Sequence, residues 1–123
     1  MAYMTDRKRA EGLGSAKSGT RHHWQMMISS VALIVLVPLF VFTFGAALGG
    51  TWEQTVIYYS RPFPVIVAAL TILVAMLHFR GGVQVLIEDY TRGAARRWTI
   101  IGAICVSYAL AAAGLFAVIG LAL

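Results

Sequence analysis

Charge is scarce in this chain, and acid is scarcest. Among 123 residues there are five Asp and Glu against ten Lys and Arg, and charged residues make up only 12% of the total. A soluble domain of this size needs far more polar surface to cover its core, so a soluble globular class is excluded. Cysteine is nearly absent. The single Cys105 lies in an apolar run and cannot make an intrachain disulfide, a zinc knuckle or an iron–sulfur ligand set. Glycine is present but never in a phosphate-cradling arrangement, since neither GxGxxG nor GxxxxGK occurs. Any flavin, iron–sulfur or nucleotide chemistry must therefore belong to a partner. No acid lies midway along any apolar run, where a proton-coupled carrier would need one, and this argues against a small transporter.

What the chain has instead is hydrocarbon. Hydrophobic residues make up 59% of it and the mean hydropathy is +0.78, which predicts an all-α integral membrane protein. Residues 24–52 carry no charge and are bracketed by Trp24 and Trp52, as interfacial aromatics bracket a span. About 20 apolar residues cross a bilayer core, and three spans are predicted, at about 26–48, 63–86 and 99–121. Pro38 lies inside the first, where it is expected to kink the helix. Pro62 and Pro64 suit the first turn of the second. Ala103, Ser107 and Ala111 repeat at four-residue spacing and give the third a small-residue face for close packing. Residues 51–64 read as a short connection, with Tyr58 and Tyr59 at interfacial depth.

Residues 1–23 read as a basic cytoplasmic tail and residues 24–123 as a three-helix membrane anchor. A signal peptide is the rival reading of the beginning. The long basic region, and an apolar run from Met26 to Leu48 that exceeds an ordinary signal core, favour a retained span. Five of the ten basic residues lie in the tail (Arg7, Lys8, Arg9, Lys17, Arg21), four more are Arg80, Arg92, Arg96 and Arg97, and Arg61 alone marks the other side. The positive-inside rule then places the N-terminus in the cytoplasm and the C-terminus across the membrane.

The polar chemistry gathers in residues 77–90, Leu-His-Phe-Arg-Gly-Gly-Val-Gln-Val-Leu-Ile-Glu-Asp-Tyr. On one helix at about 100° per residue, His78, Gly82 and Asp89 fall close to one face. If the second span enters the core near Val65, His78 lies roughly 20 Å further on, still below the opposite boundary. Ionisable groups at that depth are costly and usually functional. Two readings of His78 stand. In one, its neutral imidazole is an axial haem ligand, Gly82 removes a side chain where a flat macrocycle would lie, and Arg80 pairs with a propionate. In the other, His78 hydrogen-bonds a neighbouring helix and Arg80 marks the boundary. Asp89 and Tyr90 fall roughly 18 Å beyond His78, at the rim. There a phenol can donate to a quinone carbonyl beside a carboxylate that handles a proton; a plain helix end with a belt tyrosine is the alternative. Glu88 reads as solvated. His22 and His23 precede the first span on the same side, and a second axial histidine is expected from another subunit rather than from them.

The pattern His78, three residues, Gly82, six residues, Asp89-Tyr90, in a three-span chain of this length, resembles the hydrophobic membrane anchor family of succinate dehydrogenase, over residues from about 20 to 123. The His22-His23-Trp24-Gln25 run resembles its alphaproteobacterial and mitochondrial branch. The resemblance implies respiratory complex II of the bacterial inner membrane, or of the mitochondrial inner membrane in a eukaryote. Its partners would be a flavoprotein, an iron–sulfur protein and a cytochrome b556-type anchor, with FAD and iron–sulfur clusters confined to those partners. By position, His78 matches the axial ligand to haem b, Tyr90 the tyrosine that hydrogen-bonds ubiquinone, and Asp89 the neighbouring acid. One departure stands out. Family members often carry an arginine a few residues into the first helix, where this chain reads Gln25-Met26-Met27-Ile28-Ser29-Ser30; Arg21 or Arg80 would have to replace it at the propionates. A haem-free structural anchor is the competing expectation.

Overall fold

A computed structural model describes residues 5–12 and 19–123. Five helices follow in order: α1 (Asp6–Gly12), α2 (Gly19–Ala47), α3 (Trp52–Tyr59), α4 (Pro62–Tyr90) and α5 (Gly93–Ala122). Three of them, α2, α4 and α5, are long and apolar enough to cross a membrane. Of the stretch read as a tail, residues 1–4 and 13–18 lie outside the described residues; Asp6–Gly12 is helical, and α2 already begins at Gly19. His22 and His23 thus stand on the first turns of a spanning helix.

Each boundary has a local cause. Pro62 sits in the first turn of α4, where a missing N–H costs nothing and the fixed φ suits the helix. α2 runs through Pro38 without a break in its helical assignment. Gly93 begins α5 at φ +63°, in the left-handed region that lets α4 and α5 join across two residues. The connection between α2 and α4 is not plain loop. Thr51 caps α3: its hydroxyl accepts from the Gln54 N–H at 3.3 Å, and the Gln54 side chain accepts from the Thr51 N–H at 3.0 Å.

α4 is the middle of the assembly. α2 and α5 both pack antiparallel on it, but not on each other, and α3 lies across the end where α4 begins. Ser107 on the small-residue face of α5 is 2% exposed, and its hydroxyl donates to the Ala103 carbonyl at 2.7 Å. Further along α5, Ile72 of α4 fills the space over Gly114, where an added Cβ would come within 3.0 Å of it. The small core sits at the α3 end: Tyr59, Ala68 and Val118, with Phe40, Val65 and Leu121 against them. Burial pushes the Tyr59 phenol above its ordinary value, with the neighbouring Tyr58 phenol acting in the same direction.

Candidate functional site

The polar groups of residues 77–90 sit at the opposite end from this core, where α4 runs past the first half of α2. The two helices keep one register: Thr71 lies by Leu36, His78 by Ser29, and Gly81 by Met26. Ser29 Oγ is 3.0 Å from His78 Nδ1. The same oxygen lies 2.8 Å from the Gln25 carbonyl and 2.9 Å from the Met26 carbonyl, to which the hydroxyl donates, as serines inside helices do. His78 is half-buried in this seam.

A glycine lies in the seam. A Cβ on Gly81 would overlap Met26 Sδ and lie 3.5 Å from His22 Cε1, whereas one on Gly82 would make ordinary contact with Met26 Cε at 3.7 Å. Gly81, the neighbour of the glycine singled out from the spacing, is therefore the one against which Met26 of α2 packs more closely. His22 packs beside it with Nε2 buried and without a hydrogen-bond partner among the described residues. His22 is seven residues before Ser29, about two turns or roughly 10 Å along α2, so it does not stand across from His78. A cavity of about 340 Å³ opens beside the seam, with His22, Gln25, Ser29, Arg80 and Gln84 among its lining residues.

Arg80 turns the other way. Its Nη1 donates to the Tyr108 hydroxyl of α5, and its guanidinium carbon lies 5.5 Å from that ring's centroid. A second cavity of about 340 Å³, between α4 and α5, is lined by Leu77, Arg80, Ser107 and Tyr108. Arg80 thus lies at the border of both cavities and has an aromatic partner that composition and spacing left unread. Glu88, expected to be merely solvated, accepts from Gln84 at 3.0 Å and pairs with Arg96 at 3.6 Å, tying the last turn of α4 to the first turn of α5.

Asp89 and Tyr90 end α4. In the register that sets Gly81 by Met26 and His78 by Ser29, Gly19, where α2 begins, falls level with Glu88, so Asp89 and Tyr90 lie just past it. Both residues are exposed, Tyr90 by 84%, and neither has a hydrogen-bond or ion-pair partner among the described residues. One spanning helix therefore carries His78, Arg80, Gly82, Asp89 and Tyr90, but within this chain they do not converge: His78 faces α2, Arg80 faces α5, and the Asp-Tyr pair projects past the end. Ser29 escaped the sequence reading. Its signal was there: His22, Met26 and Ser29 fall on one helical face at the start of an apolar run.

Comparison with known proteins agrees with this architecture. The family model described as "Succinate dehydrogenase/Fumarate reductase transmembrane subunit" matches residues 1–116. The succinate dehydrogenase hydrophobic membrane anchor subunit of Paracoccus denitrificans is 46% identical over 117 residues, 95% of this chain and 91% of that protein. The protein of the same name from Rickettsia bellii is 32% identical over 97 residues, 78% of this chain and 77% of its own length. No solved structure matches this chain significantly. With a spanning three-helix chain matched nearly end to end by such relatives, the protein belongs to the succinate dehydrogenase/fumarate reductase transmembrane subunit family, as a membrane anchor of succinate dehydrogenase.

Proposed function

We propose that this anchor helps bind haem b through His78 and forms part of the ubiquinone-reduction site through Tyr90 and Asp89, in the bacterial inner membrane with its N-terminus cytoplasmic. The observation that carries the haem assignment is the seam at His78. A ligand histidine commonly engages a hydrogen-bonding group through the nitrogen that does not bind metal, and the Nδ1 contact with Ser29 leaves Nε2 as the coordinating nitrogen. The residues present would therefore offer a haem iron one nitrogen, from His78. A second would have to come from the cytochrome b556-type partner anchor, because His22 lies two turns away from Ser29 along α2. When bound, the haem supplies one-electron redox chemistry.

The remaining chemistry rests on side chains of this chain. Arg80 and Gln84 stand at the cavity beside the seam and are the groups available to the propionates; Arg80 keeps Tyr108 as its support. Gly82 adds no side chain to the helix surface one turn beyond His78. At the end of α4 the Tyr90 phenol, without a partner, is free to donate to a quinone carbonyl. The Asp89 carboxylate beside it can hold and pass one of the two protons that quinone reduction consumes. The two electrons would come from partner subunits, whose FAD and iron–sulfur clusters would supply the redox chemistry of succinate oxidation. The anchor oxidises no succinate itself. The cytoplasmic side follows from charge, since Arg21, Arg92, Arg96 and Arg97 lie at one end of the helix layer and Arg61 at the other.

Capture of the complex through a tag on this chain in a mild detergent tests the reading. The expected material oxidises succinate and gives a sharp b-type α-band in a dithionite-reduced minus air-oxidised spectrum. An intact, succinate-oxidising complex without that band would leave the anchor role and remove the haem.

A further inference from the structure

The Ser29 hydroxyl has one proton and two lone pairs. Three groups stand around its oxygen: the Gln25 carbonyl at 2.8 Å, the Met26 carbonyl at 2.9 Å and His78 Nδ1 at 3.0 Å. Carbonyls only accept. All three contacts are hydrogen bonds in one arrangement only, in which the hydroxyl proton goes to the two carbonyls and His78 donates through Nδ1–H. If Ser29 turned to donate to a bare Nδ1, it would give up both carbonyl contacts, so that one hydrogen bond would stand where there had been three.

We infer that Ser29 is the positioning residue of this site: by accepting from Nδ1 it fixes the tautomer of His78 and aims the Nε2 lone pair at the haem iron. The inference rests on the haem reading above and adds to it a residue on a different helix. Sequence spacing places Ser29 on α2, 49 residues from His78, so the ligand's tautomer depends on the packing of α2 against α4. Met26 is seated where a Cβ on Gly81 would be, in the same seam that holds Ser29 beside His78. An acceptor on Nδ1–H also makes the imidazole a stronger donor, which favours the ferric over the ferrous haem and lowers its potential.

The test uses the whole complex, purified through a tag on this chain, from wild type, Ser29→Ala and Ser29→Thr. Midpoint potential and the low-spin ferric EPR spectrum are read besides haem content. Ser29→Ala should shift the equilibrium toward ferrous haem by roughly tenfold, ~59 mV upward for a one-electron couple, with altered g-values. Ser29→Thr keeps a hydroxyl that bonds back into α2 and should return both readings to wild type. If Ser29→Ala assembles without haem, restored haem in Ser29→Thr supports the inference and its absence there overturns it. A Ser29→Ala complex with wild-type potential and g-values would also overturn it, as would a Ser29→Thr complex displaced as far as Ser29→Ala. A wild-type complex with no haem is a separate failure, that of the haem reading itself.

Discussion

A methyl group on residue 81 would overlap Met26 Sδ, and one on residue 82 would lie 3.7 Å from Met26 Cε. That difference separates two neighbouring glycines by packing. Gly81→Ala should cost about 1–3 kcal/mol through overpacking of the seam, while Gly82→Ala should cost less. Thermal dissociation of the detergent-solubilised complex checks this, and equal losses would mean that Met26 moves aside at no cost. Tyr90 offers the complementary case. At 84% exposure its hydroxyl supports nothing within the chain, so Tyr90→Phe should leave the complex stable. It should lower succinate:quinone activity about two- to tenfold, the worth of one hydrogen bond, with succinate oxidation by an artificial acceptor unchanged. Loss of both activities together would point to failed assembly. At this scale the sequence was readable wherever an ionisable residue interrupts an apolar helix, as His78, Arg80 and Asp89 do. Ser29 and Tyr108 did not stand out, because serine and tyrosine are ordinary in membrane helices and their importance lies in a partner on another helix.

Spanning helices announce themselves through hydropathy, and all three were legible together with their small-residue packing face on α5. Their ends were less so. α2 extends to Gly19 because a helix can continue from bilayer into water with polar residues, and hydropathy sees only the buried part. The connection between α2 and α4 hides a helix of eight residues, α3, too short to register by periodicity. Its capping box, Thr51 with Gln54, was the available sign. Thr51→Ala should destabilise α3 by about 1 kcal/mol, seen as faster hydrogen exchange in residues 52–59 with α4 unaffected; unchanged exchange would show the cap to be idle. Tyr59 anchors α3 to Ala68 and Val118. Its phenol is raised by burial above the ordinary value of 10.0, so the neutral form holds the contact. That contribution is complete below pH 10 and is lost as pH rises through the folded value. An ultraviolet titration should show a late phenolate step, and Tyr59→Phe should remove it.

Among the described residues, the long helices form a layer with α4 in the middle, touched by both α2 and α5, which do not touch each other. Large apolar side chains such as Phe42, Phe79, Leu86 and Phe116 remain exposed, ready for lipid or for a partner. This shape explains why the site residues do not converge. His78 meets α2, Arg80 meets α5 and Tyr90 projects past the end of α4, so the site proposed above would be completed by another subunit. Composition foretold the membrane class. It could not foretell the open layer, because which helices touch depends on side-chain fit between distant segments. Expressed without its partner anchor, the chain should insert in the membrane but hold no haem. The haem-to-flavin ratio of the purified complex, compared between wild type and His78→Leu, tests the central claim most directly. Haem equimolar with flavin in wild type, and absent from a His78→Leu complex that still oxidises succinate, is the result expected. An unchanged ratio in His78→Leu would contradict the assignment of His78 as the ligand.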